Sequence, residues 1–177
     1  MTKSNVRRPV GERVNVRYVK PTVKFGSGNV MVWGCFSRNG PGPIIQIKQI
    51  MDRFVYREIL QNHMLTFANE QMPIEWLFQH DNDPKHSSKL IKNFVTEENI
   101  NVVKWPSQSP DLNPIEHMWS YIKRQLGSHS YTNTTELMEQ IEKIWSEIPV
   151  EFCLRLIASM PRRCHAVIKS KGYPTSY

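Results

Sequence analysis

The spacing of apolar positions changes several times along this chain, and each change marks an element. "RVNVRYV" (residues 13–19) alternates apolar and polar side chains at period two, and "NVMVWGCFS" (residues 29–37) is rich in β-formers. With the Gly-containing connection "KFGSG" between them, the two runs predict an antiparallel hairpin. "RNGPGPI" reads as a turn and "IIQIKQI" as a third strand. Over residues 52–68, Phe54, Ile59, Leu60, Met64 and Phe67 recur at helical intervals behind an Asp in the N-cap position, which predicts a helix. "IEWLF" then reads as a short buried strand and "KHSSKLIKNFVTEE" as a helix opened by Asp83 and Pro84. "INVVKW" reads as a further strand, and strand, helix, strand makes a βαβ unit. After a proline-rich loop, Ile115, Trp119, Ile122 and Leu126 recur at helical spacing with Gly127 as the stop. Two more helices follow, and no internal repeat or low-complexity tract interrupts the order.

Composition narrows the class. With 177 residues, 40% hydrophobic and 10% aromatic, the chain can bury a core and is expected to form one domain, residues 1–177. The longest apolar runs fall short of a membrane span, and the basic first residues lack the apolar centre of a secretory signal, so a soluble, intracellular protein without a membrane partner is expected. Three widely spaced cysteines, Cys35, Cys153 and Cys164, fit reduced thiols rather than disulfides or a zinc site.

The net charge of +7 is unevenly spread. Residues 1–50 hold nine Lys and Arg against the single acid Glu12, and Arg162, Arg163, Lys169 and Lys171 follow the last acid, Glu151. Such patches suit phosphate backbones, and a solvated arm explains them as well. The candidate DNA-binding residues are Arg7, Arg8, Arg13, Arg17, Lys20, Lys24, Arg162 and Arg163. Residues 1–28 form a basic arm or hairpin in this reading, and residues 128–177 a set of C-terminal helices.

Two carboxylates stand out. Asp81, in "FQHDNDPKHSS", lies at the carboxyl end of an expected strand, where open α/β sheets place ligand groups. Glu116, in "NPIE", lies three residues after Asn113 and opens a helix, a pattern that a capping box explains equally well. If both converge on one sheet edge, they form an oxygen-donor pair for a hard cation such as Mg²⁺. His80, His86 and His117 flank the pair but offer no helical i, i+4 zinc motif. His86 suits either a phosphate contact or a capping role. Asn82 and Asp83 read as turn-shaping residues, and Trp33, Trp105 and Trp119 as base-stacking or core aromatics.

"VMVWGCFS", "DNDPKH" and "WPSQSPDLNPIEHMW" together resemble the Tc/mariner superfamily of DNA transposases over residues 8–177. The resemblance implies an α/β fold of ribonuclease-H-like type, a mixed sheet with flanking helices and a helical C-terminal tail. It implies an Asp, Asp, Glu triad in which Asp81 is the second Asp and Glu116 the Glu, with 34 residues between them. It implies Mg²⁺ or Mn²⁺ at Asp81 and Glu116, DNA as substrate, a homodimer or an intact transposase as partner, and a nuclear location. In that family the first Asp lies on a central strand upstream of the segment resembling residues 7–28, so the triad and the sheet are expected to be incomplete, metal binding weak and turnover slight. Two functions follow as expectations: a fragment of a cut-and-paste transposase catalytic domain, or a transposon-derived protein that binds DNA or associates with transposase without catalysis.

Overall fold

The computed structural model describes residues 30–106, 109, 112–171 and 175. The run at residues 13–19, its connection and the basic residues Arg7, Arg8, Arg13, Arg17, Lys20 and Lys24 lie outside the described residues.

Strand β1 (Met31–Ser37) pairs antiparallel with β2 (Gly40–Ile47), from Met31 opposite Ile47 to Ser37 opposite Gly40, with a bulge between Gly34 and Phe36. The tract read as a turn is thus partly strand: β1 turns back through Arg38 and Asn39, and Gly40 already opens β2, while the expected pairing of residues 13–19 with β1 lies outside the described residues. Pro41 and Pro43 are accommodated because β2 is an edge strand among the described residues.

Helix α1 (Arg53–Ile59) runs through a π-helical stretch, Leu60–Met64, into α2 (Leu65–Gln71). Asp52 caps it as expected, accepting from the N–H groups of Phe54 (2.8 Å) and Val55 (2.9 Å). The buried stripe is Tyr56, Leu60, Met64 and Ala68, joined by Ile59, whereas Phe54 is 59% exposed. A stripe recurring every four residues outruns the 3.6-residue α turn and would wander round the helix. The wider π turn takes up that excess and keeps the four side chains on one face.

The expected βαβ unit is reduced to its essentials. Phe78 forms a single parallel bridge with Val102, its N–H donating to Asn101 O and its carbonyl accepting from Val103 N–H, both at 2.8 Å. Ile74, 101% exposed, and Leu77, 70% exposed, contradict a buried strand over "IEWLF". With one neighbouring strand segment among the described residues, only Phe78 gains a ladder partner. The following helix α3 (Lys89–Glu97) opens at Ser88, not at Asp83. Asp83 instead caps one isolated turn: its Oδ1 accepts from Lys85 N–H (2.9 Å) and its carbonyl from Ser87 N–H (3.0 Å).

Helices α4 (Ile115–Leu126), α5 (Thr134–Ser146), α6 (Val150–Ala158) and α7 (Met160–Lys169) complete the order. Gly127 ends α4 with φ +60°, the backbone region that favours glycine. Two apolar clusters form the core. In one, Met118, Ile122, Leu137, Ile141, Trp145 and neighbours lie under the hairpin; in the other, the stripe from Tyr56 to Ala68 meets Phe78, Ile91 and Phe94. Gly34 lets β1 approach Trp119 and Trp145 closely: a Cβ there would stand 3.0 Å from Trp119 Cη2. No helix among the described residues is long and apolar enough to cross a membrane.

Candidate active site

Segment 78–88 is fastened at several points. Besides the Phe78 bridge, Gln79 Nε2 donates to Asn113 Oδ1 (3.2 Å) and Asn82 Nδ2 donates to the Trp105 carbonyl (2.6 Å). The first bond ties the Asp81 loop to the residue that leads into α4. Asp81 and Glu116 thereby line one cavity of about 710 Å³, together with Tyr56, His80, His86 and Trp105. The two carboxylates thus open onto the same cavity.

The two carboxylates are held very differently. Asp81 Oδ1 accepts from Asp83 N–H (3.1 Å) and from His86 Nδ1 (2.7 Å). Facing an ionised carboxylate, which only accepts, Nδ1 carries the ring proton. Asp81 Oδ2 has no hydrogen-bond partner among the described residues. Neither has the Glu116 carboxylate, so no capping box forms; the Asn113 side chain is recruited by Gln79, and the N-cap position is Pro114, which makes no side-chain cap bond. Although Glu116 keeps solvent contact, the atoms crowded around its carboxyl push its pKa up. Lys123 opposes this rise and the Asp81 charge adds to it.

A ring cluster backs Asp81. Tyr56, 1% exposed, stacks on His86 with centroids 3.9 Å apart, and its hydroxyl hydrogen-bonds His80 Nδ1 at 2.9 Å. The His80 and His86 rings lie 5.5 Å apart at an interplanar angle of 6°. The His80 pKa is lowered to about 4, first by burial and then by the neighbouring His86, against the pull of Asp81. Sequence reasoning missed Tyr56. Its signal was its place four residues before Leu60, which puts a hydroxyl-tipped ring on the buried stripe.

Other expectations resolve singly. Asp83 shapes its turn and pairs with Lys85 Nζ at 2.8 Å. Burial would raise its pKa, but the hydrogen bonds and charge of Lys85 outweigh this and leave it lowered. His117 stands apart from the cluster, its pKa lowered by burial and by Arg163. Trp119 stacks on Trp145 at 5.2 Å and Trp33 packs against the Tyr56 cluster, so both serve the core. Arg162 is exposed, but Arg163 is 2% exposed, with Nε donating to Ser159 Oγ at 2.8 Å. Its guanidinium belongs to the interior, which corrects the expectation that it lies on a phosphate-binding surface.

The donor set suits a hard divalent cation as two of its ligands, with Asp81 Oδ2 and the Glu116 carboxylate both uncommitted oxygens. Cys35 lines the same cavity, but burial pushes its thiol up to about 12, so it offers no thiolate. No group of three or more His, Cys, Asp and Glu side chains able to hold a metal occurs among the described residues.

Residues 2–138 match the family model of the DDE superfamily endonucleases, and the chain belongs to this family, as part of the catalytic domain of a Tc/mariner-type transposase. It is 49% identical over 172 residues to the Tcb1 transposase of Caenorhabditis briggsae and 46% identical over 172 residues to the Tc1 transposase of Caenorhabditis elegans. In both cases the match covers 97% of this chain and 63% of the relative. Among solved structures, the Mos1 transposase catalytic domain with raltegravir and Mn superposes with a TM-score of 0.79 at 19% identity, covering 86% of this chain and 80% of that one. The same domain with raltegravir and Mg gives 0.77 at 19% identity, over 83% and 77%. A Mos1 paired-end complex with the left transposon end gives 0.77 at 17% identity, over 99% and 52%. These likenesses establish the ribonuclease-H-like fold.

Proposed function

We propose that Asp81 and Glu116 are two of the three metal-holding carboxylates of a transposase centre that cuts and joins DNA. One observation carries this reading: Asp81 and Glu116 line the same cavity, and neither Asp81 Oδ2 nor the Glu116 carboxylate makes a hydrogen bond among the described residues. A divalent cation held by both would offset the repulsion between the two charges. Family membership and the Mn and Mg in the two Mos1 structures support divalent metal. When bound, the metal supplies Lewis-acid clamping of the attacking and leaving oxygens of a phosphodiester. The chain's own part is to hold the ligands. Asp81 keeps one oxygen fixed by His86 and Asp83 N–H and leaves the other without a hydrogen bond among the described residues, while α4 presents Glu116 from its first turn.

DNA is the substrate in this reading, supported by the DNA-end complex of Mos1 and by the basic charge of the chain. Exposed Arg162 is a phosphate contact, and a second transposase molecule, as in a paired-end assembly, is the partner. Action on chromosomal DNA places the work in the nucleus. Without a third carboxylate beside the pair, metal would be held weakly and turnover would be slight. In the alternative, non-catalytic reading DNA association persists without metal.

Titration with Mn²⁺, followed by the electron paramagnetic resonance signal of free Mn²⁺, tests the assignment. The wild-type chain is expected to take up Mn²⁺ in the millimolar range or below, and Asp81→Ala and Glu116→Gln to take up far less. Asp83→Ala is expected to retain uptake while losing about 0.5–2 kcal/mol of stability as a lost cap. Normal uptake by Glu116→Gln removes Glu116 from the site.

A further inference from the structure

We infer that His86, held face to face on Tyr56, is the positioning residue that fixes which Asp81 oxygen meets the metal. This rests on the metal reading above and deepens it. A free aspartate rotates about its terminal torsion, which is broad and roughly two-fold, so either oxygen can point into the cavity. Here the two oxygens are made unequal. Oδ1 is taken by two donors, the His86 imidazole at 2.7 Å and the Asp83 N–H at 3.1 Å, whereas Oδ2 has no partner among the described residues.

The imidazole is itself constrained. Its ring lies 3.9 Å from that of Tyr56 and 5.5 Å from that of His80, and its side chain is only 15% exposed. Tyr56 cannot yield, because it sits fully buried in the α1 stripe and its hydroxyl is bound to His80. Orientation thus passes from a core helix through a stacked ring to one carboxylate oxygen. The arrangement needs no change of charge to work. Groups that hydrogen-bond a metal ligand in this manner orient it, and losing one typically costs 10–100-fold in metal affinity.

Two substitutions separate the hydrogen bond from the ring. His86→Phe keeps an aromatic face over Tyr56 but has no N–H for Asp81. His86→Asn gives up the ring but places an amide N–H at the position of Nδ1. In Mn²⁺ titrations of the full chain, His86→Phe is expected to bind about tenfold more weakly than wild type, and His86→Asn to recover the greater part of that loss. The carbon-13 signal of the Asp81 carboxyl, recorded without metal, is expected to move in His86→Phe and to return towards its wild-type position in His86→Asn. Unchanged Mn²⁺ affinity in His86→Phe, or equal weakening by both substitutions, overturns this inference alone. A wild-type chain that takes up no Mn²⁺ overturns the metal reading and this one with it.

Discussion

Asp81 and Glu116 face one cavity, yet their surroundings are opposites. Asp81 sits on a loop but is the better fixed of the two, because His86, the Asp83 N–H and the bonds of Gln79 and Asn82 hold it and its neighbours. Glu116 sits on a regular helix and is left without a partner among the described residues, its charge disfavoured by burial and by Asp81. The contrast teaches that order of the backbone and order of a side chain come from different sources. A loop residue becomes rigid when the polar groups around it are spoken for, and a helical side chain can still lack a partner. In the proposed site, one carboxylate would be oriented by its neighbours and the other would not.

The largest test strikes the Glu116 side. Trp145 stacks on Trp119 of α4 and donates from Nε1 to the Gly42 carbonyl at 2.7 Å, joining α4, α5 and the hairpin. Trp145→Ala is expected to cost about 3–5 kcal/mol in chemical denaturation. In the same variant the histidine proton resonances of His80 and His86 should stay close to wild type, because the Tyr56 cluster is a separate core. If those signals collapse too, the two halves are one cooperative unit and the comparison fails.

The next test strikes the Asp81 side through pH. The His80 pKa lies at about 4 in the folded chain against the ordinary imidazole value of 6.5, lowered first by burial. Between those values the unfolded chain takes up a proton that the folded chain refuses. Stability is therefore complete above the unfolded value and is lost as pH falls towards the folded one. With allowance for the ring's partial exposure, the loss between neutral pH and pH 4 is about 1–2 kcal/mol. His80→Phe is expected to flatten that part of the profile of melting temperature against pH, and an unchanged slope would assign the acid sensitivity to another group.

The smallest effect has the opposite sign. Glu116 has a raised folded pKa, so the folded state binds its proton more readily than the unfolded state, and ionisation at neutral pH subtracts stability. Glu116→Gln is expected to raise the melting temperature slightly at pH 7. The gain should vanish below the usual carboxylate range, where both states are protonated. A loss of stability at pH 7 would mean that Glu116 is satisfied after all and that the contrast with Asp81 is overdrawn.

What the sequence determined by itself was local or carried by motif. The Asp52 cap, the burial of Ile122 and Leu126 in α4 and its stop at Gly127 depend on neighbours within a turn or two and form as expected, whereas Ile115 and Trp119 are only half-buried and Met118 takes the deepest place. Asp81 and Glu116 were marked by their motif strings, and both line one cavity. The tertiary structure decided the rest, because each remaining feature is a choice between partners distant along the chain. β1 pairs with β2, closing through Arg38 and Asn39, so the strand takes in residues that read as a turn; "IEWLF" keeps one bridge because only Phe78 meets a neighbour. The Asn113 side chain accepts from Gln79, 34 residues away, while only its backbone carbonyl meets the Glu116 N–H, and the Glu116 carboxylate makes no capping-box bond. Arg163, one residue from exposed Arg162, turns inward to Ser159 because α7 presents successive residues on different faces. Spacing along a chain fixes which side chains share a face, but hydrogen-bond partners and burial depend on which faces meet, and that is set by packing the whole chain at once.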